Sequence, residues 1–171
     1  MKLSFHPATE KQRLLIHQWL AQDYVAKYFY GQGLQNTLED LEKFYQGHAL
    51  LEHWIAYSED TPFAYLLTSP VKKTKDEYAK WVEGRPAITL DLLIGDKNFL
   101  GKGIATPMIK AFLSDKFPQI SEVLIGPEKT NKKAIHVYEK AGFKIMGTFV
   151  PSHSPAPHVM MKWKRTGNDH P

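Results

Sequence analysis

The sequence contains no cysteine. Disulfides, zinc–thiolate sites and thiol nucleophiles are therefore excluded, and the chain suits a reducing compartment. It also lacks any apolar run near the ~20 residues needed to span a bilayer, and "MKLSFHPATEKQRLL" lacks the apolar core, about 7–15 residues long, of a secretory signal. A soluble, cytoplasmic protein is expected, with no membrane partner. The formal charge is +4, yet dense basic clusters are missing, the longest being "VKKTK" at 71–75. Nucleic acid is thus not an expected partner, whereas a small polyanion is favoured by long-range attraction. There are no internal repeats and no low-complexity segments, and 171 residues suit one domain over 1–165 with a frayed tail at 166–171.

What is present reads as alternating elements. "TEKQRLLIHQWLAQD" places Leu14, Leu15, Trp19 and Leu20 at helical spacing, with Thr9 and Gln12 forming a capping box. "NTLEDLEKFYQG" repeats the rhythm with Leu38, Leu41, Phe44 and Tyr45 and stops at Gly47. "HWIAYSEDTPFAYLLTS" predicts an antiparallel hairpin turning at "SEDTP". Residues 71–86 fit either a short helix or a loop over a site. Strand 87–94, a glycine loop, a helix with Ile104, Met108, Ile109, Phe112 and Leu113 on one side, and a strand at 123–125 make a βαβ unit whose strands should be parallel. A helix closed by Gly142 and two further strands, "FKIMGTFV" and "HVMMKWK", complete the chain.

The glycine loop, "NFLGKGIAT" at 98–106, carries the chemistry. It does not fit a Walker A loop, because Lys102 is followed by Gly103 instead of Ser or Thr and Gly95 lies one position too far upstream. A dinucleotide fingerprint fails as well, since Thr106 stands where the third glycine belongs. Small residues from Gly101 to Ala105 would still let backbone N–H groups approach a pyrophosphate at the positive end of a helix dipole.

"LGKGIA" together with "NKKAIHVYEKAGF" resembles the acyl-CoA loop and the later motif of the GNAT N-acetyltransferases, with Leu100 where Gln or Arg is usual. Over roughly 150 residues the chain is most similar to the aminoglycoside 6′-N-acetyltransferases, a group in which "LGKG" is common. That resemblance implies a mixed α/β GNAT fold, with a mostly antiparallel sheet splayed at one parallel pair and flanked by helices. It implies acetyl-CoA as co-substrate, held by Leu100, Gly101, Lys102, Gly103, Ile104, Ala105 and Thr106, with Asn131 on the pantetheine arm. The acceptor would be a small-molecule amine and the enzyme a monomer or homodimer. Asp91 would be the base and Tyr138 the acid, and the backbone at Leu92, Leu93 and Ile94 would polarise the thioester. Tyr28 and Phe29 would line the acceptor site, as would His153. Acetylation of an N-hydroxylysine or polyamine in siderophore assembly, and a non-catalytic acetyl-CoA sensor, are the alternatives.

The residues can also be read without the family. In "AITLDLLIG", Ile88, Leu90, Leu92 and Ile94 share one face, and Thr89, Asp91 and Leu93 the other. An Asp in an apolar strand needs a reason: a salt bridge to a neighbouring Lys or Arg, or a base for an ammonium substrate. Tyr138 is a core aromatic or an acid beside the CoA sulfur, and Tyr28 and Phe29 could be core as well. His153 and His158 sit among prolines with no carboxylate nearby, so no metal is expected. Where the similar enzymes bring extra carboxylates to a polycation, this chain has Gly126 and His153, and Asp76, Glu77 and Glu83 are diluted by Lys72, Lys73, Lys75 and Lys80. A less acidic cleft should hold a polycation less firmly.

Overall fold

A computed structural model describes residues 2–72 and 76–166; the expected tail beyond Thr166 and the basic residues Lys73 and Lys75 lie outside the described residues. Seven strands, β1 (Leu3–Pro7), β2 (Glu52–Ser58), β3 (Thr61–Pro70), β4 (Ala87–Ile94), β5 (Glu122–Ile125), β6 (Lys144–Phe149) and β7 (His158–Lys164), form one sheet in the order β1-β2-β3-β4-β5-β7-β6. Five helices accompany it: α1 (Arg13–Leu20), α2 (Asp23–Ala26), α3 (Gly31–Tyr45), α4 (Ala105–Lys116) and α5 (Lys132–Lys140). Every neighbouring pair is antiparallel except β4 and β5. Among the described residues no helix is long and apolar enough to cross a membrane.

The parallel pair is the feature that makes a site. β4 meets β5 only from Ala87 to Thr89, opposite Glu122 to Leu124, and then runs on to Ile94 with that edge open. Its other edge stays laddered to β3 through Ile94, opposite Ala64. The bonds Val71 N–H to Ala87 O and Gly95 N–H to Phe63 O fix the phase of the ladder. By antiparallel alternation the backbone groups of Leu93 then face β3, and those of Leu90, Leu92 and Ile94 face the gap.

The side chains of β4 divide as the alternation requires. Ile88, Leu90 and Leu92 join the core beneath α4 and α5, with Met108, Ile109, Phe112, Leu113 and Phe143. Leu93 joins the second core beneath α1 and α3, with Ile16, Trp19, Leu41, Ile55 and Tyr65. Leu14 does not pack as expected: it is 68% exposed, and Ile16 takes the inward place. A 3₁₀ turn at Glu10–Gln12 precedes α1 and advances the helix face, because three residues complete a turn there. The capping contact is present, with the Thr9 N–H donating to Gln12 Oε1 at 2.7 Å.

Among the described residues of 71–86, only Ala79–Trp81 is helical, as a 3₁₀ turn. This segment is pinned from behind. Buried Lys162 donates to the Trp81 carbonyl at 2.9 Å and pairs with buried Glu122 at 3.2 Å, while the Glu83 N–H donates to Glu122 Oε2 at 3.0 Å.

Candidate active site

The gap beside β4 is floored by Asp91. Its surface is open to solvent in the empty cleft, yet protein atoms crowd it as thickly as an interior group. The carboxyl thus has exposed surface while many protein atoms lie around it. Desolvation pushes its carboxyl up to about 7, against the pull of the Leu92 N–H, which donates to Asp91 Oδ1 at 2.9 Å. No cation pairs with it among the described residues, so the salt-bridge reading of this strand Asp falls away. Its charge is felt by three tyrosines, Tyr138, Tyr78 and Tyr65, each raised above the ordinary phenol value first by burial.

Tyr138 reaches this position from the inner face of α5, where it is 6% exposed and tilted against Phe143. The helix starts where it does because Asn131 caps it, with Oδ1 accepting from the Ala134 N–H at 3.2 Å. Asn131 thus has a structural task.

At the other side of the gap, Gly101 and Gly103 adopt φ of 72° and 69°. A Cβ at either would meet nothing, so these glycines serve the left-handed backbone and not close packing. The loop delivers the chain to α4, whose N-terminus has no side-chain cap. Its first N–H groups, at Ala105 and Thr106, are therefore open to an anion. Ile104 is 6% exposed and belongs to the core, so only its backbone is on offer; Leu100 is half-buried and Lys102 exposed. Leu93 departs from expectation. Its side chain is core and its backbone faces β3, which leaves Leu92 and Ile94 as the edge residues.

The end of β4 is held rigidly. The Tyr24 hydroxyl donates to the carbonyl of Ile94 at 2.7 Å and lies 3.0 Å from that of Gly95, to which Gln22 Nε2 also donates at 2.9 Å. Trp19 lies so close over Gly95 that no Cβ would fit.

Opposite α5, the wall is aromatic: Phe149 touches Tyr78, Trp81 and His158, and His158 meets His153 edge-on. A Cβ at Gly126 would sit 3.0 Å from the Phe149 ring, so a larger side chain there would require that ring to shift. His153 is half-buried against Gly33 of α3, and burial with neighbouring His158 lowers its imidazole pKa despite Glu77. Phe29 packs into the α1–α3 core, while Tyr28 is half-buried beneath the Lys27 ammonium. Of the acidic residues in 76–83, Asp76 accepts the Lys72 and Tyr78 N–H groups and Glu83 pairs with Lys164. Glu77 stays at the cleft, bonded to Ser152 at 3.1 Å, and Glu128 accepts from Tyr30 at 3.1 Å. Phe149, Glu128 and Tyr24 were not anticipated from the sequence, and Tyr78 was hinted at only by the aromatics interspersed in "DEYAKW".

Comparison with known proteins agrees with this architecture. The family model described as "Acetyltransferase (GNAT) domain" matches residues 9–150. A crystal structure of an aminoglycoside N(6′)-acetyltransferase from Legionella pneumophila is 40% identical and superposes with a TM-score of 0.86, covering 96% of this chain and 94% of that one. An aminoglycoside N(6′)-acetyltransferase type 1 from Klebsiella pneumoniae is 26% identical over 160 residues, 89% of this chain and 79% of the relative. An aminoglycoside acetyltransferase solved with coenzyme A and kanamycin shares the fold at 22% identity and a TM-score of 0.78, covering 96% of this chain and 95% of that one. The splayed strand and the loop that follows it agree with the family match and the 40% identical relative: the chain belongs to the GNAT acetyltransferase family and is an N-acetyltransferase that uses acetyl-CoA as its co-substrate.

Proposed function

We propose that this acetyltransferase acetylates the 6′-amine of an aminoglycoside by direct attack, with Asp91 as base and Tyr138 as acid. The observation that carries the chemistry is Asp91 itself, a carboxylate without a cation partner among the described residues, held near pH 7 at the open edge of β4. A base with that pKa can take a proton from an ammonium at neutral pH. The freed amine attacks the thioester carbonyl, the C–S bond breaks, and Tyr138 gives its phenolic proton to the departing thiolate. The second proton carried by the attacking nitrogen then restores the phenol, so that one amide, one thiol and one proton on Asp91 result.

The open N–H groups of Ala105 and Thr106, with Gly101, Lys102, Gly103 and the backbone of Leu100 and Ile104, would hold the pyrophosphate, and Asn131 the pantetheine arm. Edge N–H groups of Leu92 and Ile94 would stabilise the oxyanion. On the acceptor side, Tyr28, Phe29 and His153 would meet the sugar rings. Glu77 and Glu128 supply negative charge that Gly126 and His153 do not, each bonded to a neutral hydroxyl and so still able to attract an ammonium. The 40% identical relative named for this activity supports the substrate class. Residues 1–165 would act as one catalytic unit in the cytoplasm.

Acetyl-CoA-dependent thiol release tests the reading. Saturable turnover is expected with aminoglycosides bearing a 6′-amine and none with analogues carrying a 6′-hydroxyl. Turnover confined to polyamines or N-hydroxylysine would move the substrate class. Acetyl-CoA binding without turnover on any acceptor would favour a sensor.

A further inference from the structure

Only a few donors line the open edge of β4, and one of them is already engaged. Alternation along the strand points the N–H groups of Leu92 and Ile94 into the gap. The Leu92 N–H is bonded to Asp91 Oδ1 at 2.9 Å, the one hydrogen bond that the Asp91 side chain makes among the described residues. The same hydrogen therefore serves the carboxylate and faces the place where a thioester must lie to be attacked beside Asp91. An amide hydrogen binds one strong acceptor well at a time, so the two uses compete.

We propose that the Leu92 N–H is handed over: it holds the Asp91 carboxylate while the gap is empty and passes to the thioester oxygen when acetyl-CoA arrives, freeing the carboxylate to receive the proton of the amine.

The partner that moves is fixed by the surroundings. β4 is laddered to β3, and its end is clamped by Tyr24, Gln22 and Trp19, so the Leu92 peptide stays put. Asp91 can swing about χ1 and χ2, and nothing else among the described residues ties it down. A carboxylate that loses a hydrogen-bond donor binds a proton more tightly. Arrival of the acyl group would thus polarise the electrophile and strengthen the base through one hydrogen, and Asp91 would stay a weaker base until there is something for the amine to attack. This inference rests on Asp91 as the base.

The test is ¹⁵N–¹H NMR of the whole protein, following the Leu92 amide against pH when free, with coenzyme A, and with acetyl-CoA in the absence of any acceptor. Coenzyme A fills the same groove without a carbonyl, so it controls for burial. In the free protein and the coenzyme A complex the Leu92 amide should titrate with the Asp91 carboxyl. In the acetyl-CoA complex it should cease to do so, while the Asp91 midpoint, read from its ¹³C carboxyl signal, rises by roughly one to two units above the coenzyme A value. A Leu92 amide that tracks Asp91 equally in both complexes, or an acetyl-dependent shift confined to Ile94, overturns the hand-over. Asp91→Asn separates this from the base assignment. Unchanged turnover in that variant removes the base and leaves the wild-type NMR result to stand or fall alone.

Discussion

Asp91 concentrates the cost and the use of the site in one side chain. Crowding raises its carboxyl to about 7 in the folded chain, against ~3.9 for an unperturbed Asp. A folded pKa above the unfolded one means that the group's contribution to stability is complete below the unfolded value and is lost as pH rises through the folded value. The protein therefore gives up stability at neutral pH to keep an ionisable carboxyl there, the cost expected of the proposed base. Asp91→Asn, which cannot ionise, should raise Tm at pH 8 and leave it nearly unchanged at pH 4, while turnover falls by about 10²–10⁴ and acetyl-CoA affinity holds. Scanning calorimetry at both pH values with steady-state kinetics checks this. A variant less stable than wild type at pH 8 would show the carboxylate to be a satisfied structural group. In the wild type at saturating acetyl-CoA, kcat/KM for the amine should rise with pH and level above the ligand-free carboxyl value of about 7 if the Leu92 N–H is handed over, and at about 7 if it is not. His53 shows the opposite sign. Fully buried, its Nε2 lies 2.8 Å from Asp40 and its Nδ1 faces the Tyr65 hydroxyl, and burial lowers its pKa. The stability that it lends is present above the ordinary histidine value and is lost as pH falls through the lowered one.

Among the elements, those with a period of their own were legible and those defined by distant partners were not. β4 was read to its residue bounds, and the buried face of α4 was read in full, because each repeats over eight residues or more. The stop of α5 followed from Gly142, whereas Asn131, its cap, was read only as a ligand contact. β1 spans five residues and α2 a single turn, too short for either pattern to rise above chance, and α3 begins at Gly31, five residues before the polar start at Asn36 that the leucine rhythm suggested. In the site, the chemistry-bearing residues and the glycine loop were readable from motifs. The aromatic wall and the clamp on β4 were not, since Tyr24 and Ile94 lie 70 residues apart in the chain. That clamp supplies a prediction at this scale. Gly95 owes its identity to Trp19, whose indole occupies the place of a Cβ. Gly95→Ala should force α1 and α2 off the end of β4 and cost about 1–3 kcal/mol by urea denaturation. A change within about 0.5 kcal/mol, the range of an ordinary surface substitution, would mean that Trp19 can yield and that the clamp is loose.

Across the whole molecule, the segment 78–83, on the proposed acceptor side, is held from the far strands. Lys162 on β7 and Glu122 on β5 have side chains 3% and 2% exposed, and together they hold the Trp81 carbonyl and the Glu83 N–H. Trp81 leans on Gly147 and Phe149, and Tyr78 follows it into the site. Removing one member of a buried pair strands the other charge, so Lys162→Met should cost about 3–5 kcal/mol. It should also release residues 78–83, raising KM for the amine with little change in acetyl-CoA affinity, because the glycine loop and α4 lie on the other side of β4. Loss of stability alone could blur that result, and the double variant Lys162→Met/Glu122→Leu removes the ambiguity. With neither charge buried, stability should return in large part, yet both anchors for the 78–83 backbone remain absent. KM for the amine should then stay high in a protein that is again stable, as measured by calorimetry and steady-state kinetics on the same preparation. Recovery of KM together with stability would show that the pair merely holds the sheet together and that the loop positions itself.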